Sequence, residues 1–553
     1  MGANRGKRGS RESAPEGRKD MFKKSARAAA FPLNLVISAA IPVAALCCAS
    51  QADASSCEEL ASLKLPDTTI ESAQSVAAGD YTVDKTTRKA MPAFCRVVAS
   101  VKAAPDSDVR LEIWLPDQWK GVFHGNGNGG YAGIVSFGYD GMEAGVKRGY
   151  ASASTDMGTA PSTPLNGDAL VGHPQKWKDW GLLSTHVMTV AGKEIAKAFY
   201  GEGPKHSYFT GCSTGGQQGL IEAKYYPDDY DGILSGAPVI SRTWGHAAVL
   251  WDYLAANLKS GSKLSDAKLA LLTKSAVAAC GAKSNGLKSD AFIADPASCD
   301  FDPAALTCKA AGSSECLTPS EVETAKAFYS GPVDSHAKPL YFGWPRGFLE
   351  TPANAPGEPS FDGLFKWVFG ADWNWRNFSF EQDMAKVDAT LGPVLNGATT
   401  GDVSQFRSRA GKLLIFQGWS DPIVAPDQTI AFYKGLAAKF GGDGEVQKFA
   451  RLFLAPGVGH CSGGPGPNSF NSAVFQGIKP PSSGPEDDIF AALAHWVEDG
   501  NAPAEVVATK YDDDDPSKGI ALRCPLCPYP QKPWYKAGDS ADAKNFTCAA
   551  TKP

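Results

Sequence analysis

The chain carries little excess charge of either sign and no dense Lys/Arg face: 54 Lys and Arg stand against 59 Asp and Glu, a net charge of −5. Nucleic-acid binding depends on neutralising phosphates with clustered cations, so nucleic acid is not expected as a partner. Beyond residue 54 no apolar run approaches the roughly 20 residues needed to cross a bilayer, and stable membrane insertion is not expected. CxxC occurs once, at 524–527 (CPLC), without the second ligand pair of a structural zinc site. The sequence has no internal repeat, which excludes solenoids and propellers. It also lacks a GK[ST] run, and its glycine-rich segment 125–130 is not read as a dinucleotide or phosphate loop.

What is present fits a large globular protein. Hydrophobic residues make up 43% of the 553 and charged residues 20%, while 58 glycines and 38 prolines imply many turns. Lys and Arg are scattered over residues 5–27, an apolar stretch follows over 28–49, and Ala52-Asp53-Ala54 closes it. That order is a secretory signal, and residues 1–54 are assigned to it, with Met21 as an alternative start. An uncleaved anchor is the other reading, weakened by Pro32, Asn34 and Pro42 inside the apolar run. The expected location is therefore secreted or periplasmic. Eleven cysteines remain (57, 95, 212, 280, 299, 308, 316, 461, 524, 527 and 548), enough to expect disulfides in an exported chain.

Strand-like and helix-like segments alternate from about 97 to 238. Residues 110–115 (RLEIWL), 121–123, 207–210 (SYFT) and 233–235 read as strands; 186–200 and 218–226 read as helices. The texture then changes to cysteine-bounded loops, a Pro/Gly-rich stretch and an aromatic cluster of Trp344, Phe348, Phe365, Trp367, Phe369, Trp373 and Trp375. Alternation resumes with a strand at 412–417 (KLLIFQ), a helix at 426–440, a strand at 449–454 and a helix at 488–496. This predicts an α/β fold with a largely parallel sheet. A core over 55–240 and 396–553 is interrupted by an insertion over 241–395.

Residues 211–215 (GCSTG) fit G-x-S-x-G, and a strand precedes them as a helix follows, the setting of a nucleophile elbow. Ser213 is then the nucleophile, and the N–H of Thr214 points at the oxyanion. Serine needs a base held by an acid, and in this fold they follow in the order Ser, Asp/Glu, His. Asp421 follows the 412–417 strand, and His460 follows the 449–454 strand in a glycine-rich loop. His246 and His336 precede Asp421, and His495 sits in an apolar helix pattern, which leaves His460 as the base. Cys212 directly precedes the serine and Cys461 directly follows the histidine. A bridge between them would hold their Cα atoms about 5.5–6 Å apart and join the two loops; two unpaired buried thiols are the alternative. The second oxyanion donor is expected from 123–131 (FHGNGNGGY), with Gly129 and Gly130 as candidates.

These segments together resemble the tannase and feruloyl esterase family, which includes mono(2-hydroxyethyl) terephthalate hydrolases. The resemblance rests on 119–133, 207–220, 229–238, 418–426, 457–461 and 524–531, and spans about 57–548. It implies an α/β-hydrolase core with a lid inserted between nucleophile and acid, and hydrolysis of small aromatic carboxylic esters without a redox cofactor. By the same resemblance the Cys212–Cys461 bridge is expected, as are Cys57–Cys95, Cys280–Cys299, Cys308–Cys316 and Cys527–Cys548, with Cys524 left over. The family commonly holds a structural Ca²⁺ after the first lid cysteine. Here Gly281 and Asn285 replace expected carboxylates, so calcium is doubtful, with Asn285 and Asp290 as weak candidate ligands. In the lid, Trp344 and Arg346 lie where the family pattern is poorly kept and are candidate substrate contacts. A solvated surface role is the alternative for Arg346. Feruloyl esterase activity leads, with tannase or terephthalate monoester hydrolase as the nearest alternatives. A catalytically silent binding protein is the reading from another class, against which the intact Ser/Asp/His set argues.

Overall fold

In the computed structural model, described for residues 55–281, 285–287, 291–309, 315–348, 357–471 and 478–553, nine strands form the central sheet. They are β1 (Thr68–Val76), β2 (Phe94–Val101), β3 (Val109–Pro116), β4 (Val122–Asn126), β5 (Ala151–Thr155), β6 (His206–Cys212), β7 (Gly232–Gly236), β8 (Lys412–Gly418) and β9 (Ala450–Ala455). Their spatial order is β1-β2-β3-β5-β4-β6-β7-β8-β9. The five pairings from β5 to β9 are parallel, as the strand–helix alternation predicts. The three at the N-terminal edge are antiparallel. The half-exposed alternation of β1 fits this arrangement, since an antiparallel edge needs no crossover helix and can leave one face wet.

The inner strands β4, β5 and β7 are buried at every residue, and β6 and β8 at all but the first, as expected of strands covered on both faces. Period-two alternation sends their side chains to two cores. Phe123, Phe209, Ile233, Leu413 and Ile415 pack on one face with the apolar sides of α2 (Ser184–Tyr200), α3 (Thr214–Tyr225) and α9 (Pro426–Phe440). Val122, Tyr208, Leu234, Leu414 and Phe416 pack on the other against α10 (Ile489–Asp499). Helix α2 stops where Gly201 turns left-handed at φ 77°, and α10 starts where the Asp488 carboxylate accepts from the N–H groups of Phe490 and Ala491. On the same side as α10, helix α1 (Tyr139–Arg148) adds Met142 and Val146 to a cluster around Phe94 and Trp114.

Between β7 and β8 the chain runs through α4 (Arg242–Asn257), α5 (Asp266–Cys280), α6 (Pro319–Ser330), α7 (Gly363–Phe369) and α8 (Met384–Leu395). Here aromatics rather than strands build the core. Phe365, Trp367, Trp375 and Phe378 join Tyr131 and Trp180 of the preceding chain in one cluster. Phe328, Trp344 and Phe348 form another with α5 and α6. Five disulfides join Cys57–Cys95, Cys212–Cys461, Cys280–Cys299, Cys308–Cys316 and Cys527–Cys548. Cys524 is a buried free thiol, which burial pushes well above the ordinary thiol range. Among the described residues no helix is long and apolar enough to cross a membrane.

Candidate active site

Strand β6 ends at Cys212 and α3 begins at Thr214, so Ser213 alone makes the turn between them. It adopts φ 63° and ψ −117°, a backbone conformation that costs a non-glycine residue on the order of 1–3 kcal/mol. The surroundings hold it there. Its N–H donates to Gly236 O (2.9 Å), and strand and helix approach so closely that a Cβ on Gly211 would lie 2.6 Å from the carbonyl of Gly215. The helix begins earlier than the sequence pattern predicts, immediately after the serine, which makes Thr214 its first residue. An N–H in that position has no intrahelical acceptor.

Asp421 lies three residues beyond β8 and is fully buried. Four donors offset that burial: the N–H groups of Ile423 and Val424 (2.9 Å each), Gln417 Nε2 (3.0 Å) and His460 Nδ1 (2.8 Å). A carboxylate only accepts, so Nδ1 carries the proton and Nε2 of His460 is left basic. His460 follows β9, as expected, and the Cys212–Cys461 bridge, with Cα atoms 5.8 Å apart, ties its loop to the residue before Ser213. His495 sits on α10, half-buried, with Nδ1 2.7 Å from Asp499.

The glycine-rich loop after β4 docks on α3. Asn128 N–H donates to Gln218 Oε1 (2.8 Å), and Gly215 N–H donates to Asn128 O (2.7 Å). The two candidate glycines then part. Gly129 packs against Phe137, where a Cβ would lie 2.4 Å from the ring. Gly130, at φ 54°, lines the pocket that holds Ser213, and a Cβ there would fall 1.8 Å from Pro164 O. The Thr214 hydroxyl donates to Gly130 O (2.9 Å) and so links the elbow to this loop.

With this geometry in view, comparison with known proteins is decisive. The model for "Tannase and feruloyl esterase" matches residues 95–385 and 361–549. The chain belongs to that family. An uncharacterised esterase of Xanthomonas campestris pv. campestris is 35% identical over 93% of this chain and 95% of that protein. The mono(2-hydroxyethyl) terephthalate hydrolase of Piscinibacter sakaiensis is 31% identical over 83% and 85%. The crystal structure of feruloyl esterase B from Aspergillus oryzae superposes with a TM-score of 0.81 at 26% identity, covering 89% of this chain and 99% of that one. The fold is that of the α/β-hydrolases, and the protein is a carboxylic ester hydrolase acting on small esters.

The esterase's pocket is walled by residues that motif reading missed. Beside Gly130 and Ser213 stand Arg242 and His246 of α4, Tyr341, Phe342 and Phe361 of the segment between β7 and β8, and Ile423–Ala425 after β8. Trp344 lines it too, while packing on Phe328 with ring centroids 4.5 Å apart. Arg346 does not line it; its guanidinium stacks over Tyr329, 4.6 Å from the ring centroid. Burial holds the His246 imidazole well below its ordinary range, and the nearby Arg242 charge adds to the effect. His246 Nδ1 lies 3.1 Å from Phe361 O, an acceptor, and the Tyr131 hydroxyl donates to that same oxygen (2.9 Å). Both bonds form when Nδ1 is protonated, which assigns His246 Nε2 as an acceptor.

Of the loop expected to hold calcium (280–290), residues 280, 281 and 285–287 are described. Asn285 is buried and accepts the Leu287 N–H with Oδ1 (3.1 Å), and Asp290 lies outside the described residues. Asp295, farther along, is paired with Lys532 at 2.6 Å. Elsewhere His186, Glu222 and Asp229 converge, with His186 Nδ1 2.6 Å from Asp229, but none of them lines the Ser213 pocket.

Proposed function

We propose that this esterase hydrolyses aromatic, phenolic carboxylic esters of the feruloyl type through an acyl-enzyme, outside the cytoplasm and without a redox cofactor. Ser213 Oγ attacks the ester carbonyl as His460 Nε2 removes its proton, and Asp421 holds the imidazole in the tautomer that can do so. The oxyanion of the tetrahedral intermediate accepts from the N–H groups of Thr214 and Gly130. Collapse expels the alcohol, which takes the proton from His460. Water, activated by the same imidazole, then adds to the acyl carbon, and the carboxylic acid leaves as Ser213 regains its proton. The single observation that carries this reading is the 2.8 Å contact between buried Asp421 and His460, on a loop bridged to the elbow at Cys212–Cys461.

The apolar ring-bearing wall (Trp344, Phe342, Phe361, Tyr341) supports an aromatic acid, since flat rings bury much area at low entropic cost. Five disulfides support an oxidising compartment. The engaged Asn285 and paired Asp295 support a lid loop stable without calcium. A panel of methyl ferulate, methyl gallate and mono(2-hydroxyethyl) terephthalate tests the substrate class. The highest kcat/KM is expected on methyl ferulate. A tenfold preference for either of the others would reassign the acid.

A further inference from the structure

Arg242 is 3% exposed, at the first turn of α4 and in the wall of the Ser213 pocket. A guanidinium removed from water is ordinarily matched by a carboxylate, because an unpaired buried charge is costly. Here no acid of the described residues plays that part. Its Nε donates to the neutral Gln217 Oε1 (2.8 Å), and Nη2 donates to Gln217 Oε1 and to Thr214 Oγ1 (3.0 Å). Burial pulls it below the ordinary guanidinium range, and the neighbours that partly restore it are Tyr131 and Tyr341. A cation kept at that cost beside a nucleophile calls for a use.

The hydrogen-bond inventory supplies one. Arginine has donors and no acceptor, and a peptide carbonyl accepts and cannot donate. Between them, the single proton of the Thr214 hydroxyl must point at Gly130 O, where the distance is 2.9 Å. Trp180 Nε1 donates to the same carbonyl (3.2 Å), and the guanidinium lies 4.7 Å from the Trp180 ring centroid. Arg242, Thr214, Gly130 and Trp180 thus close a ring. That ring contains both residues whose N–H groups are assigned to the oxyanion. Gln217 anchors it from behind, its Nε2 donating to Leu395 O (2.6 Å).

We propose that Arg242 is a positioning residue for the oxyanion hole: it locks Thr214 to Gly130 and sets a positive charge behind them. This rests on the assignment of Thr214 and Gly130 as oxyanion donors. Donors fixed before the charge develops need no reorganisation in the transition state, which is where such donors contribute most. The effect therefore belongs in kcat and in the binding of tetrahedral adducts, not in substrate binding.

The test is a double-mutant cycle on the full secreted chain with Arg242→Met, Thr214→Val and their combination. Thr214→Val keeps the backbone N–H and removes the hydroxyl. Kinetics on methyl ferulate are measured beside inhibition by phenylboronic acid, which forms a tetrahedral adduct, and by ferulate, which does not. For Arg242→Met, kcat should fall about 10- to 100-fold, within the loss seen when one oxyanion donor is deleted, with KM and ferulate inhibition within about threefold. Boronate inhibition should weaken in step with kcat. The two substitutions should be non-additive, the second adding less than about threefold, and Arg242→Lys should recover part of the loss. Additive losses would overturn the proposal, as would a rise in KM at unchanged kcat, which would make Arg242 a reader of substrate. Melting curves of each variant separate these results from misfolding. Ser213→Ala, run alongside, separates them from failure of the underlying assignment: if it retained turnover, the oxyanion reading itself would be wrong.

Discussion

The two halves of the active site are built by different physics. On the sheet side, backbone dictates geometry. Ser213 is held at positive φ by the Gly236 carbonyl and by a strand–helix approach that excludes a Cβ at Gly211, while Asp421 is fixed by two peptide N–H groups. On the side of the segment between β7 and β8, side chains dictate it. Trp344 is set by Phe328 and Phe348, and His246 by Tyr131 and the Phe361 carbonyl. In the proposed mechanism the backbone-defined positions carry the chemistry. In the proposed reading, positions defined by side-chain packing carry selectivity, Arg242 excepted.

The largest effect should follow from the backbone-defined side. Ser213→Ala is expected to lower kcat by at least about 10⁴-fold while leaving the melting temperature and ferulate binding unchanged, because triad members act as a unit. A variant that kept a tenth of wild-type kcat would break the distinction at its base.

Next come two disulfides, one from each side. Cys212–Cys461 closes 249 residues and Cys308–Cys316 closes 8. Loop-closure entropy predicts stabilisation of about 5 and about 2.5 kcal/mol respectively, before any native-state adjustment. Replacing Cys212 and Cys461 by alanine should also lower kcat by up to about 100-fold per folded molecule, since it releases the histidine loop from the elbow. The Cys308/Cys316 double variant should keep its kcat. Equal activity per folded molecule in both would reduce the first bridge to a staple.

Smaller effects should follow from the packing-defined side. Trp344→Leu should raise KM for methyl ferulate about tenfold, roughly 1.4 kcal/mol of lost contact, with kcat nearly constant. A matching loss in kcat would place Trp344 with the catalytic half. The smallest effect is expected from a chelator. With Asn285 engaged by Leu287 and Asp295 by Lys532, excess EDTA should shift the melting temperature by less than about 1 °C, since a site that binds weakly adds little stability. A shift of several degrees, or calcium in the purified protein, would contradict this.

The same division decides what was legible in the sequence. The elbow, the acid after β8 and the histidine after β9 could be read because each is announced locally, by glycines and by a strand that ends beside it. Cys212 and Cys461 were legible because each is adjacent to a proposed triad residue. Choosing between Gly129 and Gly130 was not, since it depends on contacts with Phe137 and Pro164. Arg242 and His246 were invisible as pocket residues for a similar reason. Their one trace in the sequence is a cation and an imidazole within the otherwise largely apolar run 239–248 (VISRTWGHAA). Trp344 and Arg346 stood out equally by composition, yet packing turned one into the pocket and stacked the other over Tyr329. The antiparallel N-terminal edge escaped because its first strand, β1, has no helix alternating with it.

The central claim is that Ser213 becomes acylated during turnover. Rapid acid quench of wild-type protein with 4-nitrophenyl ferulate, followed by peptide mass analysis, tests it most directly. The account predicts a burst of nitrophenol and a feruloyl adduct on the peptide containing Ser213, both missing from Ser213→Ala. Turnover without any adduct, or an adduct on another residue that survives in Ser213→Ala, would contradict it.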